Sequence, residues 1–267
     1  MVMKIMNNSE FKNVIVTGCN GLIGRKLCDS LKDKKINIFG IDFEDKNTDI
    51  SKFYEFYCCD LTFEKSVNSI VENIYEKVDN IDCLIHLAGI DYKVQEKNKK
   101  LNFNLDHNSI SSPEIVMKSL SANVSMVYNI IYSLLPKFLN QDNSRIILIG
   151  SVYGSYSPNP KLYKSENSKY FYQKPIEYSL SKSIFPTLTK YLCAHYANQG
   201  LVINNVEPHA IIDSPDKIFL SNFKELSPME RICKSSEIAD LITYLVLSKC
   251  FYLNGETIRV DGGWTAV

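Results

Sequence analysis

The sequence predicts a doubly wound α/β fold, with one sheet of about seven parallel strands and helices on both faces. Short apolar runs alternate along the 267 residues with longer segments in which apolar residues recur at helical spacing. The apolar runs are nearly unbroken, which is typical of parallel strands buried on both faces. Right-handed crossovers then place the helices on the two sides of the sheet. The length suits a single domain spanning 1–267.

The alternation assigns each strand and helix in turn. Strands are predicted at 14–17, 36–41, 56–59, 83–87, 145–149, 201–206 and 257–260. Helices are predicted at about 22–31, 63–78, 113–138, 178–196 and 238–247. Pro113 opens the third helix, where a proline is favoured, whereas Pro186 lies inside the fourth and is expected to kink it.

Three long stretches lack a periodic pattern and are predicted to be loops, at about 90–112, 152–177 and 210–235. All three follow the carboxyl ends of predicted strands, where an open α/β sheet binds its ligands. Loops of this length in a compact domain are usually functional. We therefore expect the substrate contacts to come from them.

The composition excludes several classes of protein. Thirty basic residues balance thirty acidic ones, so nucleic acid and anionic membranes are not expected as partners. No apolar stretch reaches the roughly 18 residues of a membrane span, and the N-terminus does not read as a signal peptide. The eight cysteines form no CxxC pair and the four histidines no HExxH motif, so we expect free thiols in a reducing cytoplasm and no metal site.

A glycine-rich turn, Thr17 to Gly24, joins the first predicted strand to the first helix. Glycines let the backbone approach a pyrophosphate, and the helix N-terminus offers it N–H groups and a positive dipole. Asp42 ends the second strand 18 residues after Gly24. A carboxylate there accepts hydrogen bonds from ribose hydroxyls and repels a 2′-phosphate, so the pattern predicts NAD(H) in preference to NADP(H). The alternative is that Asp42 only begins a turn.

Tyr178 and Lys182 stand four residues apart, on one face of the predicted helix, with Ser151 upstream at the end of the fifth strand. A free phenol has a pKa of about 10, and a nearby ammonium favours the phenolate. Tyr178 would then be a usable general acid or base, and Ser151 would hold a substrate oxygen. Taken alone, the two residues also fit an ordinary surface pair on an amphipathic helix.

Seven motifs in order make the chain resemble the short-chain dehydrogenase/reductase superfamily over essentially its whole length. They are the glycine turn, Asp60 after the third strand, Ala88-Gly89 after the fourth, Asn123 on the long helix, Ser151, Tyr178 with Lys182, and Val260-Asp261-Gly262-Gly263 near the C-terminus. The resemblance implies a Rossmann-type fold.

The resemblance also implies roles for individual residues. Tyr178 would be the catalytic acid/base, and Lys182 would bind the nicotinamide ribose and lower the pKa of the tyrosine. Ser151 would orient the substrate, and Asn123 would hold a proton-relay water. The implied cofactor contacts are Gly18, Asn20, Gly21, Leu22, Ile23, Gly24, Asp42, Asp60, Leu61, Ala88, Gly89, Tyr178, Lys182 and Pro208.

Some features depart from the compact members of the superfamily. Gly18, Gly21 and Gly24 make the G-x-x-G-x-x-G form of the extended, sugar-nucleotide-modifying members, and the 27 residues from Ser151 to Tyr178 approach their spacing. The chain nevertheless ends in the compact type's Val-Asp-Gly-Gly. This mixture is similar to oxidoreductases of bacterial flagellin-modification and surface-polysaccharide pathways. His209 follows Pro208 where the family usually has a glycine beside the nicotinamide.

The expected function is hydride transfer between a nicotinamide and a secondary alcohol or ketone, on a sugar phosphate or nucleotide-linked sugar. One alternative is an epimerase or dehydratase that retains its NAD, and another is a dinucleotide-sensing protein without catalysis. The resemblance also implies a homodimer or homotetramer built on the long helix 114–138 and the helix that begins at Tyr178.

Overall fold

The computed structural model describes residues 11–46, 48–91, 111–163, 174–215 and 217–267. Its strands are β1 (Asn13–Thr17), β2 (Asn37–Asp42), β3 (Glu55–Cys58), β4 (Cys83–His86), β5 (Ser144–Ile149), β6 (Leu201–Pro208) and β7 (Thr257–Val260). They form one parallel sheet in the order β3-β2-β1-β4-β5-β6-β7. The strand order reverses at β1, so a ligand crevice is expected where β1 and β4 end.

The helices lie on both sides of this sheet. They are α1 (Leu22–Asp33), α2 (Glu64–Tyr75), α3 (Pro113–Leu139), α4 (Val152–Ser155), α5 (Ile176–Lys182), α6 (Ile184–Tyr196), α7 (Lys217–Leu226) and α8 (Ser235–Leu247). The predicted doubly wound fold is confirmed, and the predicted strands agree with the observed ones within two residues at each end.

Alternate residues of each strand point to opposite faces, which divides the apolar core into two layers. Ile15 of β1 packs in the layer covered by α2, α3 and α6. Its neighbours Val14 and Val16 pack in the layer covered by α1 and α8. Because both faces are covered, the strands are apolar on both sides, which is the pattern visible in the sequence.

The helix predicted at 178–196 is two helices in the structure, α5 and α6, which meet at Ser183. Pro186 is the reason. It has no N–H to donate to the carbonyl of Lys182 four residues earlier, and its ring crowds that carbonyl. The expected kink is therefore present as a one-residue interruption at Ser183, whose backbone keeps helical dihedral angles, immediately after Lys182.

Two of the three predicted loops contain helices, so that part of the prediction is wrong. The stretch 152–177 holds α4, a 3-10 turn at Pro160–Tyr163 and the start of α5, and the stretch 210–235 holds α7. In α7 only Phe223 is fully buried, although Phe219, Phe223 and Leu226 recur at helical spacing, a pattern that the sequence analysis missed. Most of the remaining predicted loop, 90–112, lies outside the described residues, because residues 92–110 are not among them.

Three further observations concern membrane spans, cysteines and metal sites in the described part of the chain. Across the described ranges, no helix is both long enough and apolar enough to cross a membrane. All eight cysteines are free thiols. In the same part of the chain, no three His, Cys, Asp or Glu side chains cluster in a way that would hold a metal ion.

Candidate active site

The glycine turn between β1 and α1 requires its glycines. Gly18 has a φ of +68°, and a Cβ there would lie 2.7 Å from the Ala88 nitrogen. A Cβ on Gly24 would lie 2.3 Å from the Gly18 carbonyl oxygen. The turn closes with a 3.1 Å hydrogen bond from the Gly21 N–H to the same carbonyl. Glycine at these two positions therefore lets the end of β1, the start of α1 and the chain after β4 approach one another closely.

The N-terminus of the 12-residue helix α1 points out of this turn. The N–H groups of its first residues, Leu22 and Ile23, have no partner within the helix. Together with the helix dipole they suit the pyrophosphate of a dinucleotide. The turn thus fits the group that the sequence predicts for it.

Asp42 lies at the end of β2 with its carboxylate held in place. Its Oδ2 accepts a 2.8 Å hydrogen bond from the Asn20 N–H, and its Oδ1 accepts one of 2.8 Å from the Phe43 N–H. The Asn20 side chain in turn donates to the Glu44 carbonyl and to Thr48 Oγ1. Each carboxylate oxygen retains acceptor capacity, which is what hydroxyls of an adenosine ribose require.

The other predicted cofactor residues lie along the carboxyl edge of the sheet. Asp60 accepts hydrogen bonds from the N–H and hydroxyl of Thr62, which shapes the turn before α2 together with the buried Leu61. The Ala88 N–H donates to Thr17 Oγ1 at 3.3 Å. Pro208 ends β6. These positions agree with a cofactor lying across the strand ends, and their contacts with it remain predictions.

Ser151 begins helix α4 and its hydroxyl faces Tyr178. Ser151 Oγ accepts a 3.2 Å hydrogen bond from the Tyr153 N–H, which leaves its own proton to donate. It also lies near the phenol of Tyr178 and acts to lower its pKa. Burial has the larger effect and raises the pKa of Tyr178 to about 12. The pKa expected to fall is therefore raised in the structure, and at neutral pH the phenol keeps its proton.

Lys182 reaches the ends of β4 and β5. Its Nζ donates a 3.1 Å hydrogen bond to the Ile149 carbonyl and lies 3.3 Å from where a Gly89 Cβ would be. Burial lowers the pKa of Lys182 to about 8. The ammonium is thus placed beside the strand ends, where a nicotinamide ribose is expected. The pKa of Tyr178 is instead affected by burial and by Ser151, Asp91 and Tyr163.

Asn123 holds the chain immediately after β4. Its Oδ1 accepts a 2.9 Å hydrogen bond from the Ile90 N–H, and its Nδ2 donates to the carbonyls of Ile90 and Ser119 at 3.1 Å each. The side-chain amide is therefore bonded to main chain and fixes Gly89 beside Lys182. Its role with a proton-relay water stays a prediction.

Two buried side chains of β6, missed in the sequence analysis, hold the turn that carries Ser151. Asn205 Oδ1 accepts a 3.0 Å hydrogen bond from the N–H of Gly150, and Glu207 Oε1 accepts one of 2.7 Å from Ser155 Oγ. Both side chains are fully buried. The signal was present, because three polar residues, Asn204, Asn205 and Glu207, interrupt an otherwise apolar strand.

An ion pair beside Tyr178 was also missed. Lys174 Nζ lies 2.5 Å from Asp91 Oδ2 and 3.8 Å from the centroid of the Tyr178 ring. The two charged residues are 83 positions apart in the chain, and their spacing carries no local signal.

His209 is a core residue rather than a loop residue. Its ring packs against those of Tyr153, Phe223 and Trp264, with centroids 4.4–5.3 Å away. Neither ring nitrogen has a hydrogen-bond partner among the described residues. Burial lowers the pKa of His209 to about 4, so the ring is neutral at physiological pH.

The family model described as enoyl-(acyl carrier protein) reductase matches residues 20–265. The chain belongs to the short-chain dehydrogenase/reductase superfamily. Its fold and the arrangement of Ser151, Tyr178 and Lys182 agree with that membership. The protein is an NAD(P)-dependent oxidoreductase.

Relatives and solved structures cover almost the whole chain. A 3-oxoacyl-(acyl-carrier-protein) reductase of Buchnera aphidicola is 30% identical over 267 residues, which cover 95% of this chain and 97% of that protein. A post-translational flagellin modification protein A of Campylobacter coli is 23% identical over 264 residues, covering 96% and 98%. A short-chain dehydrogenase of Leptospira borgpetersenii with bound NAD+ superposes with a TM-score of 0.81 at 22% identity, covering 98% and 97%.

Proposed function

We propose that the protein transfers a hydride between NAD(H) and a secondary alcohol or ketone on a sugar-derived substrate, a sugar phosphate or nucleotide-linked sugar. The observation that carries the proposal is that Ser151, Tyr178 and Lys182 lie together at the carboxyl edge of the sheet, with Ser151 close enough to act on the Tyr178 phenol. A nicotinamide cofactor supplies the hydride chemistry, and the protein supplies geometry and the proton.

The protein's own residues perform the acid-base part. Because Tyr178 is protonated at neutral pH, it is ready to donate its proton to the oxygen of a carbonyl that receives a hydride. The Ser151 hydroxyl donates toward the same point, so it orients that oxygen. Lys182, buried with its ammonium beside Gly89, is suited to the hydroxyls of the nicotinamide ribose.

The sugar-derived substrate is supported by the relationship to the Campylobacter coli flagellin modification protein. A second candidate, a 3-oxoacyl thioester, is favoured by the Buchnera aphidicola relative. An NADH-oxidation screen of keto sugars, their phosphates and nucleotide-linked forms against acetoacetyl-coenzyme A separates the two. The proposal fails if only the thioester is reduced.

An epimerase or dehydratase with retained NAD is the remaining alternative within catalysis. Such an enzyme would purify with its dinucleotide bound and would turn over substrate without added cofactor. Turnover that depends on added NADH, with stoichiometric oxidation, supports the proposed oxidoreductase instead.

Asp42 is proposed to set the preference for NAD(H). We expect NADH to bind more tightly than NADPH, because the fixed carboxylate accepts from the ribose hydroxyls and repels a 2′-phosphate. Asp42→Ala is expected to narrow the difference, and Asp29→Ala, on α1, serves as a surface control. Titrations of nicotinamide fluorescence measure both affinities, and equal or tighter binding of NADPH by the native protein would contradict the assignment.

Assembly through α3 and α6 is a further part of the proposal. Val127 of α3 and Leu192 of α6 are buried in the core. On the outer side of the same helices, Tyr128, Tyr132 and Tyr191 are more than half exposed. Exposed aromatic residues clustered on a helix face favour association. The protein assembles as a homodimer or homotetramer, and its free thiols suit the cytoplasm.

We expect Tyr128→Asp with Tyr132→Asp to dissociate this assembly, because two carboxylates would be buried in a symmetric contact. Tyr54→Asp, an equally exposed tyrosine beside β3, should leave it intact. Light scattering at micromolar concentration measures the mass. A native protein that is already a monomer would show the proposal to be wrong.

A further inference from the structure

The ion pair of Asp91 and Lys174 lies where a substrate would meet the catalytic tyrosine. Asp91 follows Gly89 by two residues at the carboxyl end of β4, and Lys174 precedes Tyr178 by four. The Lys174 ammonium is 2.5 Å from the Asp91 carboxylate and lies over the Tyr178 ring, 3.8 Å from its centroid. Neither charged side chain is fully buried, because that of Lys174 is 18% exposed and that of Asp91 is 31% exposed.

The surroundings of this pair are polar as well. The hydroxyl of Tyr163 donates a 3.2 Å hydrogen bond to that of Tyr153, which lies two residues after Ser151. Tyr163 and Asp91 both act electrostatically on Tyr178, and Asp91 and Lys174 both act on Lys182. Charged and phenolic side chains therefore lie near Tyr178 on this side of the site.

We propose that the Asp91–Lys174 pair is the substrate-recognition element of this active site, and that it binds adjacent hydroxyls of an uncharged polyhydroxylated ring or chain. The proposal rests on the hydride-transfer function proposed above and narrows its substrate. A carboxylate accepts from one hydroxyl while an ammonium donates to the next, so the pair matches a vicinal diol. Since the two charges cancel, a phosphate or nucleotide of the substrate would bind elsewhere.

Desolvation decides against an apolar substrate at this position. The partly exposed pair exchanges its water for substrate hydroxyls and loses no hydrogen bonds. An acyl chain would displace that water and form no hydrogen bond with either charged group. Desolvating ionised groups in this way costs free energy and weakens binding. A site built to bind hydroxyls therefore discriminates strongly against an analogue that lacks them.

The test compares ligands that share a carbon skeleton. Cyclohexanol and myo-inositol have the same six-membered ring with one and six hydroxyls, and further cyclitols and hexitols extend the polyol set. Binding to the full-length protein saturated with NADH is measured by calorimetry, because an alcohol cannot react with the reduced cofactor. We expect the native protein to bind at least one polyol at least about tenfold more tightly than cyclohexanol.

Variants of the pair should remove this preference selectively. Asp91→Asn and Lys174→Met are each expected to weaken polyol binding about 10- to 100-fold, the range for one hydrogen bond to a charged group, and to leave cyclohexanol within about twofold. Lys174→Arg should retain most of the polyol affinity. Lys77→Met is the control, because it breaks a comparable 2.7 Å ion pair with Glu55 far from the site. It should change the affinity for neither ligand.

Polyol binding that survives in both variants would overturn the proposal, and so would a native protein that binds cyclohexanol equally well or binds neither class. Hydride transfer is scored separately by reduction of NAD+. If the Asp91→Asn and Lys174→Met variants lose polyol binding selectively but no alcohol transfers a hydride, the proposed function is wrong and the recognition element is supported. Reduction of a keto sugar undiminished in Asp91→Asn, with polyol binding unchanged in both variants, would overturn the recognition element and leave the proposed function intact.

Discussion

Tyr178→Phe is expected to lower turnover by on the order of 10²–10⁴, the usual contribution of a positioned proton donor. The substitution removes the hydroxyl near Ser151 and keeps the ring beneath Lys174. NADH binding should persist, because the phosphates are assigned to the turn from Gly18 to Gly24 and not to the phenol. The measurement is kcat on the substrate from the NADH-oxidation screen, together with NADH affinity by fluorescence.

Two companion variants separate proton transfer from cofactor binding. Ser151→Ala should lower kcat with little change in NADH affinity, because Ser151 acts on Tyr178 and on the substrate oxygen. Lys182→Ala should weaken NADH binding as well as kcat, since its buried ammonium is assigned to the ribose. If Tyr178→Phe keeps most of the native rate, proton transfer by Tyr178 is wrong and another group performs it.

Acidification from pH 6.5 to pH 4 is expected to lower the free energy of unfolding by about 1.4 kcal/mol per pH unit for each of two buried histidines. Burial lowers the pKa of His86 to about 3 and that of His209 to about 4, whereas an unfolded histidine titrates near 6.5. Between those values the unfolded chain binds protons that the folded chain does not. Stability present above pH 6.5 is therefore lost as the pH falls.

Single substitutions isolate this effect from other titrating groups, such as Glu207, whose raised pKa works in the opposite direction. His209→Phe keeps an aromatic ring in its cluster, and His86→Asn keeps a polar partner for Thr17. Urea unfolding at several pH values should give each variant a slope shallower by about 1.4 kcal/mol per unit. His195→Asn, at an exposed position, is the control. Curves parallel to that of the native protein would refute the assignment.

The fold was predictable because its signals are local. Uninterrupted apolar runs identified the buried strands, and helical spacing identified the helices packed on them. The glycine turn was equally readable, since Gly18 and Gly24 leave no room for a Cβ. In the same way, Tyr178 and Lys182 share a helix face, and Ser151 ends a strand at the edge where ligands bind.

The sequence analysis missed two helices. Helix α4 is only four residues long, whereas α7 carries Phe219, Phe223 and Leu226 at a helical spacing that was overlooked. The disturbance expected at Pro186 is present as the interruption between α5 and α6. The pKa of Tyr178 was expected to fall beside a lysine, whereas in the folded protein burial has the largest effect and raises it.

The sequence by itself determined the fold class, the strands and the glycine turn, because each depends on contacts within a few positions or on strand-end geometry. It also named Asn123, Ser151, Tyr178 and Lys182, whose catalytic roles stay predictions. Only the tertiary structure decided what surrounds those residues. Asp91 meets Lys174 across 83 positions, and Glu207 meets Ser155 across 52. Hydrogen bonds and ion pairs of this kind depend on how distant segments are packed, and no periodicity in the chain encodes which polar side chains will face each other.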